Sequence, residues 1–142
     1  MAEKKTLVTK EALNEFMAVQ FPQARCVVEE VNAERAIIRY RITEADLRPG
    51  GTVAGPVMFL VADCALYVAI LGRIGIVPLA VTTNMNINFL RKPAADRDIV
   101  GECRLIKLGK LLAIGEVTVY SDGVEEPVAH ATGTYAIPPK RG

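Results

Sequence analysis

Residues 55–72 read GPVMFLVADCALYVAILG, and a single residue of the eighteen, Asp63, carries a charge. A helix that is apolar on every side must be enclosed on every side. A membrane is one enclosure, but the apolar part, residues 56–71 with Asp63 inside it, is sixteen residues long. That is ~24 Å at ~1.5 Å per residue, against the roughly 20 residues that a hydrocarbon core of ~30 Å requires. Length and the central carboxylate both point instead to a protein interior. Gly55 reads as the helix N-cap, Pro56 fits a first turn where no N–H is needed, and Gly72 and Gly75 end the helix. Two arrangements bury such a rod: one sheet curled around it, or a second subunit laid against it.

The flanking sequence supplies the sheet. Residues 10–21 read as a first helix, with Thr9 as N-cap, Leu13, Phe16, Met17 and Val19 on one side, and Pro22 as its stop. A strand begins at Cys26, and another spans 34–42, where Ala36, Ile38, Tyr40 and Ile42 alternate with arginines. Residues 47–54, LRPGGTVA, are turn chemistry. Beyond Pro78 everything reads as β. Val81, Thr83, Met85, Ile87 and Phe89 alternate with Thr82, Asn84, Asn86, Asn88 and Leu90. Strands over 99–108 and 111–120 join through Gly109, and a last strand covers 128–137. This order is α+β, a long central helix wrapped by an antiparallel sheet of five to six strands. It forms one domain over residues 1–142, with an N-terminal helical region in 1–22 and a basic, frayed tail at 139–142.

Composition narrows the partners. Seventeen basic against sixteen acidic residues leave a net charge of +1, which gives no electrostatic case for nucleic acid or a membrane surface. The N-terminal stretch is charged and lacks a signal-peptide core. Three scattered cysteines, Cys26, Cys64 and Cys103, suit a reducing, cytoplasmic setting better than a disulfide framework. With one histidine, His130, and one serine, Ser121, outside any G-x-S-x-G context, neither a metal cluster nor a Ser-His-Asp triad is expected. No phosphate loop or dinucleotide fingerprint is present, and no cofactor is expected.

Asp63 has Phe59, Leu60, Leu66 and Tyr67 as its helical neighbours, and none offers a charge. Two roles fit it. It can bond a distant amide or base for structure alone, or it can act as a general base or nucleophile in a cleft. Gly50, Gly51 and Gly55 allow two readings also, a tight turn and cap or a helix N-terminus that holds an oxyanion. If both features are catalytic, geometry imposes a condition. Gly55 and Asp63 lie eight residues apart, or ~12 Å along one helix, and one reacting carbon cannot touch both. Antiparallel helices across a dimer axis satisfy the condition.

The segments GGTVAGPVMFLVADCALYVAIL, AVTTNMNINFLRKPA, RLIKLGKLLAIGEVTVYSDG and PVAHATGTYAIP resemble hotdog-fold acyl-CoA thioesterases over residues 25–138, in particular the phenylacetate-pathway group of the 4-hydroxybenzoyl-CoA thioesterase superfamily. The resemblance implies a homodimer or homotetramer that hydrolyses an acyl-CoA to free acid and coenzyme A. It implies Asp63 as base or nucleophile, Gly55 N–H as the carbonyl-polarising donor from the other subunit, and Thr82, with Thr83 as rival, as the residue that positions water. Two positions depart from the family. Many relatives carry His-Gly-Gly where this chain has Ala54-Gly55-Pro56, and Arg48 falls near the usual amide. Arg48 is a candidate for meeting a carboxylate on the acyl group. Asn84 and Asn86, read as sharing the face of Thr82, supply polar contacts or an interface ladder. Arg91, Lys92, Lys107 and Lys110 are candidates for the phosphates of coenzyme A. The alternative function is a non-catalytic acyl-CoA binding or sensing module. A hydratase is disfavoured because no histidine follows Asp63 closely.

Overall fold

Thr9 accepts the Ala12 amide at 3.1 Å and starts α1 (Lys10–Gln20) in the computed structural model, which describes residues 7–139. Residues 140–142 of the expected basic tail lie outside the described residues. Leu13 and Met17 are buried, but Val19, expected on the same side, is exposed. Pro22 opens a short 3-10 turn, and β1 (Cys26–Val31) and β2 (Ala36–Tyr40) follow as an antiparallel pair. A second 3-10 turn, at Glu44–Asp46, lies beyond the expected elements and is fixed locally by a capping box between Thr43 and Asp46. Tyr40 Oη donates to Asp46 Oδ1 at 2.7 Å from the neighbouring strand, while the Thr43 amide donates to Asp46 Oδ2 at 2.7 Å.

The apolar run is α2 (Gly55–Ile74), capped by Ala54 rather than Gly55. Gly72 does not end it. The helix passes through Gly72 and stops at Gly75, whose φ of 99° suits glycine. A Cβ on Gly72 would sit 2.6 Å from Val31 Cγ2, so this glycine serves the approach of β1. At twenty residues the helix is longer than expected and long enough to cross a membrane, yet it is a core helix. Residues 61–72 are buried with the exception of Asp63. Its N-terminal half departs from the expectation of burial all round. Pro56 and Phe59 are exposed, and Leu60 and Asp63 are partly so, a stripe at helical spacing that this chain does not cover.

Four strands complete the sheet: β3 (Val81–Phe89), β4 (Ile99–Leu108), β5 (Leu112–Ser121) and β6 (Ala129–Ala136). The six antiparallel strands run β1-β2-β4-β5-β6-β3. The sheet curves around α2 in the hotdog arrangement. Contact is closest where side chains are absent: an added Cβ would meet Val61 at 2.8 Å from Gly101, and Leu66 at 2.6 Å from Gly115.

One irregularity matters for the site. The β3–β6 register pairs Thr82 with Tyr135 and then Asn84 with Thr134, so Thr83 is the extra residue of a bulge. The alternation therefore reverses. Thr82 shares the helix-facing side with Met85 and Ile87, while Asn84 and Asn86 lie on the opposite face. The expectation that Asn84 and Asn86 share the Thr82 face is corrected on this ground: period-two counting fails across a bulge.

Candidate active site

Asp63 lies in the third turn of α2, half-buried, and its partners come from two strands distant in sequence. Thr82 Oγ1 donates to Asp63 Oδ1 at 2.6 Å, and Tyr135 Oη donates to the same oxygen at 2.7 Å. Tyr135 Oη also lies 3.3 Å from the Asp63 carbonyl oxygen. Among the described residues no donor reaches Oδ2. One carboxylate oxygen is thus fixed by two hydroxyls and the other is open. The bulge decides between the two threonines, since the Thr83 hydroxyl donates to the Thr134 carbonyl at 3.3 Å instead.

The carboxylate lines a cavity of about 220 Å³ bounded by α1, α2, the loop before β3, and the facing ends of β3 and β6. Its walls are mostly apolar: Met17, Phe21, Leu60 and Pro78 surround Tyr67 and Tyr135. The Tyr67 ring stacks on Tyr135 with centroids 5.9 Å apart, and Tyr67 Oη donates to the Pro78 carbonyl at 3.2 Å. Burial, then the charge of Asp63, push the Tyr135 hydroxyl far above the usual phenol range. Tyr135 therefore keeps its proton and remains a donor. Burial also raises Tyr67. The neighbouring Cys64 thiol is raised well above its ordinary value by the Cys26 thiol beside it and by burial.

The other candidates stand apart. Gly55 is the first residue of α2 and packs on the Phe89 ring at the opposite end of β3, where an added Cβ would meet Phe89 at 3.3 Å. Within one chain it does not join Asp63. Arg48 is exposed in the turn before α2, with its amide donating to Thr52 at 2.8 Å. Arg91 is engaged with Glu126 at 2.8 Å and with the Pro127 carbonyl at 2.9 Å. Lys92, Lys107 and Lys110 are exposed, the last two at the β4–β5 hairpin. None of these cations, and not Asn84, lines the Asp63 cavity. His130 lies 3.2 Å from Glu116, remote from the cavity.

Sequence reasoning missed Tyr135, Tyr67, Met17 and Phe21. A signal for Tyr135 exists: β6 presents Ala129, Ala131 and Gly133 inward, then one bulky phenol. Reading it as a partner of Asp63 requires the strand order, which is not local information.

A family model described as the thioesterase superfamily matches residues 50–128, the stretch holding Gly55, Asp63 and Thr82. The chain belongs to the thioesterase superfamily. A crystal structure of a candidate thioesterase from Silicibacter sp. TM1040 is 40% identical, with 96% of each chain covered and a TM-score of 0.89. The superfamily fold recurs in the phenylacetic acid degradation protein PaaI of Thermus thermophilus, at 22% identity, 87% and 99% coverage and a TM-score of 0.71. It recurs also in a hypothetical thioesterase from Streptococcus pneumoniae solved with coenzyme A, at 17% identity, 82% and 88% coverage and a TM-score of 0.72. No curated protein is a significant match to this sequence.

Proposed function

We propose that this thioesterase-superfamily chain hydrolyses an acyl-CoA to the free acid and coenzyme A, at a site completed by a second copy of itself. The observation that carries this reading is the Asp63 carboxylate in a cavity wall, with Oδ1 held by Thr82 and Tyr135 and Oδ2 open. Oδ2 takes a proton from water as the water oxygen bonds to the thioester carbon, or attacks that carbon itself. The C–S bond then breaks, and the thiolate leaves as coenzyme A and takes up a proton. By the first route the acid departs directly as its carboxylate; by the second, water hydrolyses the acyl–Asp63 anhydride to release it. The one hydroxyl hydrogen of Thr82 is engaged in the bond it donates to Asp63, so toward water it offers only lone pairs.

The developing oxyanion needs a donor that no described group beside Asp63 supplies. The Gly55 amide, at the start of α2, is an orphan donor at the positive end of the helix. Two features support its arrival from a second copy. β3 is an edge strand of nine residues, and Val81 and Phe89 near its ends are each 53% exposed. A long exposed edge is a template for pairing. An antiparallel pairing of two β3 edges brings the Thr82 end of one copy beside the Phe89 end of the other. Because Phe89 packs on Gly55, that amide is carried toward Asp63. The exposed Pro56 and Phe59 stripe is covered by the same pairing.

Coenzyme A binding rests on the pneumococcal relative that holds it and on exposed cations here. Lys92, Lys107 and Lys110 are the phosphate contacts proposed, with Arg91 available if it exchanges Glu126 for phosphate. A reducing cytoplasm is the setting proposed for the three free thiols.

The test is release of free thiol from a panel of aryl and medium-chain acyl-CoA esters. Turnover of at least one ester is expected. Binding of the esters with no thiol release overturns hydrolysis and leaves a sensing module.

A further inference from the structure

Met17 and Phe21 each line two cavities at once. One is the Asp63 cavity; the other, of about 480 Å³, opens on the far side of α1 beside Pro22 and Val27. These two side chains are therefore a partition. It is also a fixed one. Asn14 Nδ2 donates to the Val28 carbonyl at 3.0 Å and Asn14 Oδ1 accepts the Val28 amide at 2.7 Å, so α1 is clipped to the outer edge of β1. Phe21 is held further by an edge-on contact with Tyr67 at 6.2 Å.

We propose that Met17 and Phe21 set the length of acyl group the enzyme accepts, and that the acyl group is neutral and of ring size. This rests on the thioesterase reading, because the acyl carbon must lie at Asp63 and its chain must run into the space behind. Among the described residues, Asp63 is the only charged side chain in that cavity's lining. The Thr82, Tyr67 and Tyr135 hydroxyls already donate to protein oxygens. Within one chain, a second carboxylate on the acyl group would meet Asp63 and no cation of the described lining. An apolar cavity of ~150 Å³ holds a benzene molecule, so 220 Å³ holds a ring with a short linker. A straight chain of roughly six to eight carbons has comparable bulk. Removing the partition joins the two spaces and lengthens the acceptable chain.

The experiment compares kcat/KM along a ladder of straight-chain acyl-CoA esters, about four to twelve carbons, with a dicarboxylic acyl-CoA as control, at roughly four-fold per methylene buried. Phe21→Ala removes a side chain that is 39% exposed, and a cooperative melt checks that the fold survives. Its optimum is expected to move to longer chains, gaining roughly four-fold over wild type for each added methylene. Ala24 is buried and also lines the Asp63 cavity, so Ala24→Val, which narrows it, is expected to move the optimum the other way. Unchanged chain-length profiles in both variants, with turnover retained, overturn the partition and leave the thioesterase intact. Preference for the dicarboxylic ester overturns the neutral pocket. Absence of turnover by the wild-type protein on every ester overturns the thioesterase reading and this inference with it.

Discussion

At the scale of a residue, Asp63 is a carboxylate with two unlike oxygens. Asn at this position keeps an acceptor for Thr82 and Tyr135 but has no basic or nucleophilic oxygen. Asp63→Asn is therefore expected to lower kcat by about 10²–10⁴, with an unchanged melting temperature, as thiol release and calorimetry will show. Tyr135→Phe keeps the ring stacked on Tyr67 and removes one donor from Oδ1. A fall in kcat of roughly tenfold is expected, with a stability cost of about 1 kcal/mol, measurable by denaturant unfolding. The charge of Asp63 in an apolar run was visible from the first reading, since a buried carboxylate demands a reason. Its two partners were not, because neither Thr82 nor Tyr135 lies near it in the chain. What joins them is the β3–β6 register and its bulge.

At the scale of an element, the apolar helix and the alternating strands could be read locally because hydrophobic period is a local property. Gly72 shows where that reading stops. A glycine near the end of a helical run signals a stop, but here it is a contact with β1 that lies across the fold. Gly72→Ala is expected to destabilise by about 1–3 kcal/mol through overpacking against Val31, although alanine is the better helix former. A gain in stability would contradict the contact. The strands also set an alkaline limit. Burial, with Asp46 adding to it, pushes Tyr40 in β2 up to about 12, and burial pushes Cys103 in β4 up to about 12. Tyr135 in β6 is raised beyond them. Unfolded tyrosine releases its proton near pH ~10 and cysteine near ~8.5, while the folded groups retain theirs. Their contribution to stability is thus intact below those values and is lost as pH rises toward the folded ones. Melting temperatures from pH ~8 to ~11 should fall, less steeply in Tyr135→Phe.

At the scale of the whole molecule, the chain leaves an apolar helix stripe and a strand edge open. The uncovered stripe on α2 and the open edge of β3 are continuous with the Asp63 cavity, and the helix N-terminus is out of reach of its own carboxylate. Spacing alone foretold that separation, and the fold keeps it, with Gly55 at the Phe89 end of β3 and Asp63 at the Thr82 end. A second copy is expected in solution, detectable by sedimentation. The most direct measurement mixes two inactive parents. Asp63→Asn abolishes the base, and Gly55→Pro deletes one amide proton at a first-turn position whose backbone tolerates proline, while its added ring presses on Phe89. Refolded together in equal amounts, half of the dimers pair one chain of each kind. Each such dimer regains one complete site, so activity should return to roughly a quarter of wild type. A mixture as inactive as its parents, although dimeric, would show that the two groups do not meet across the interface.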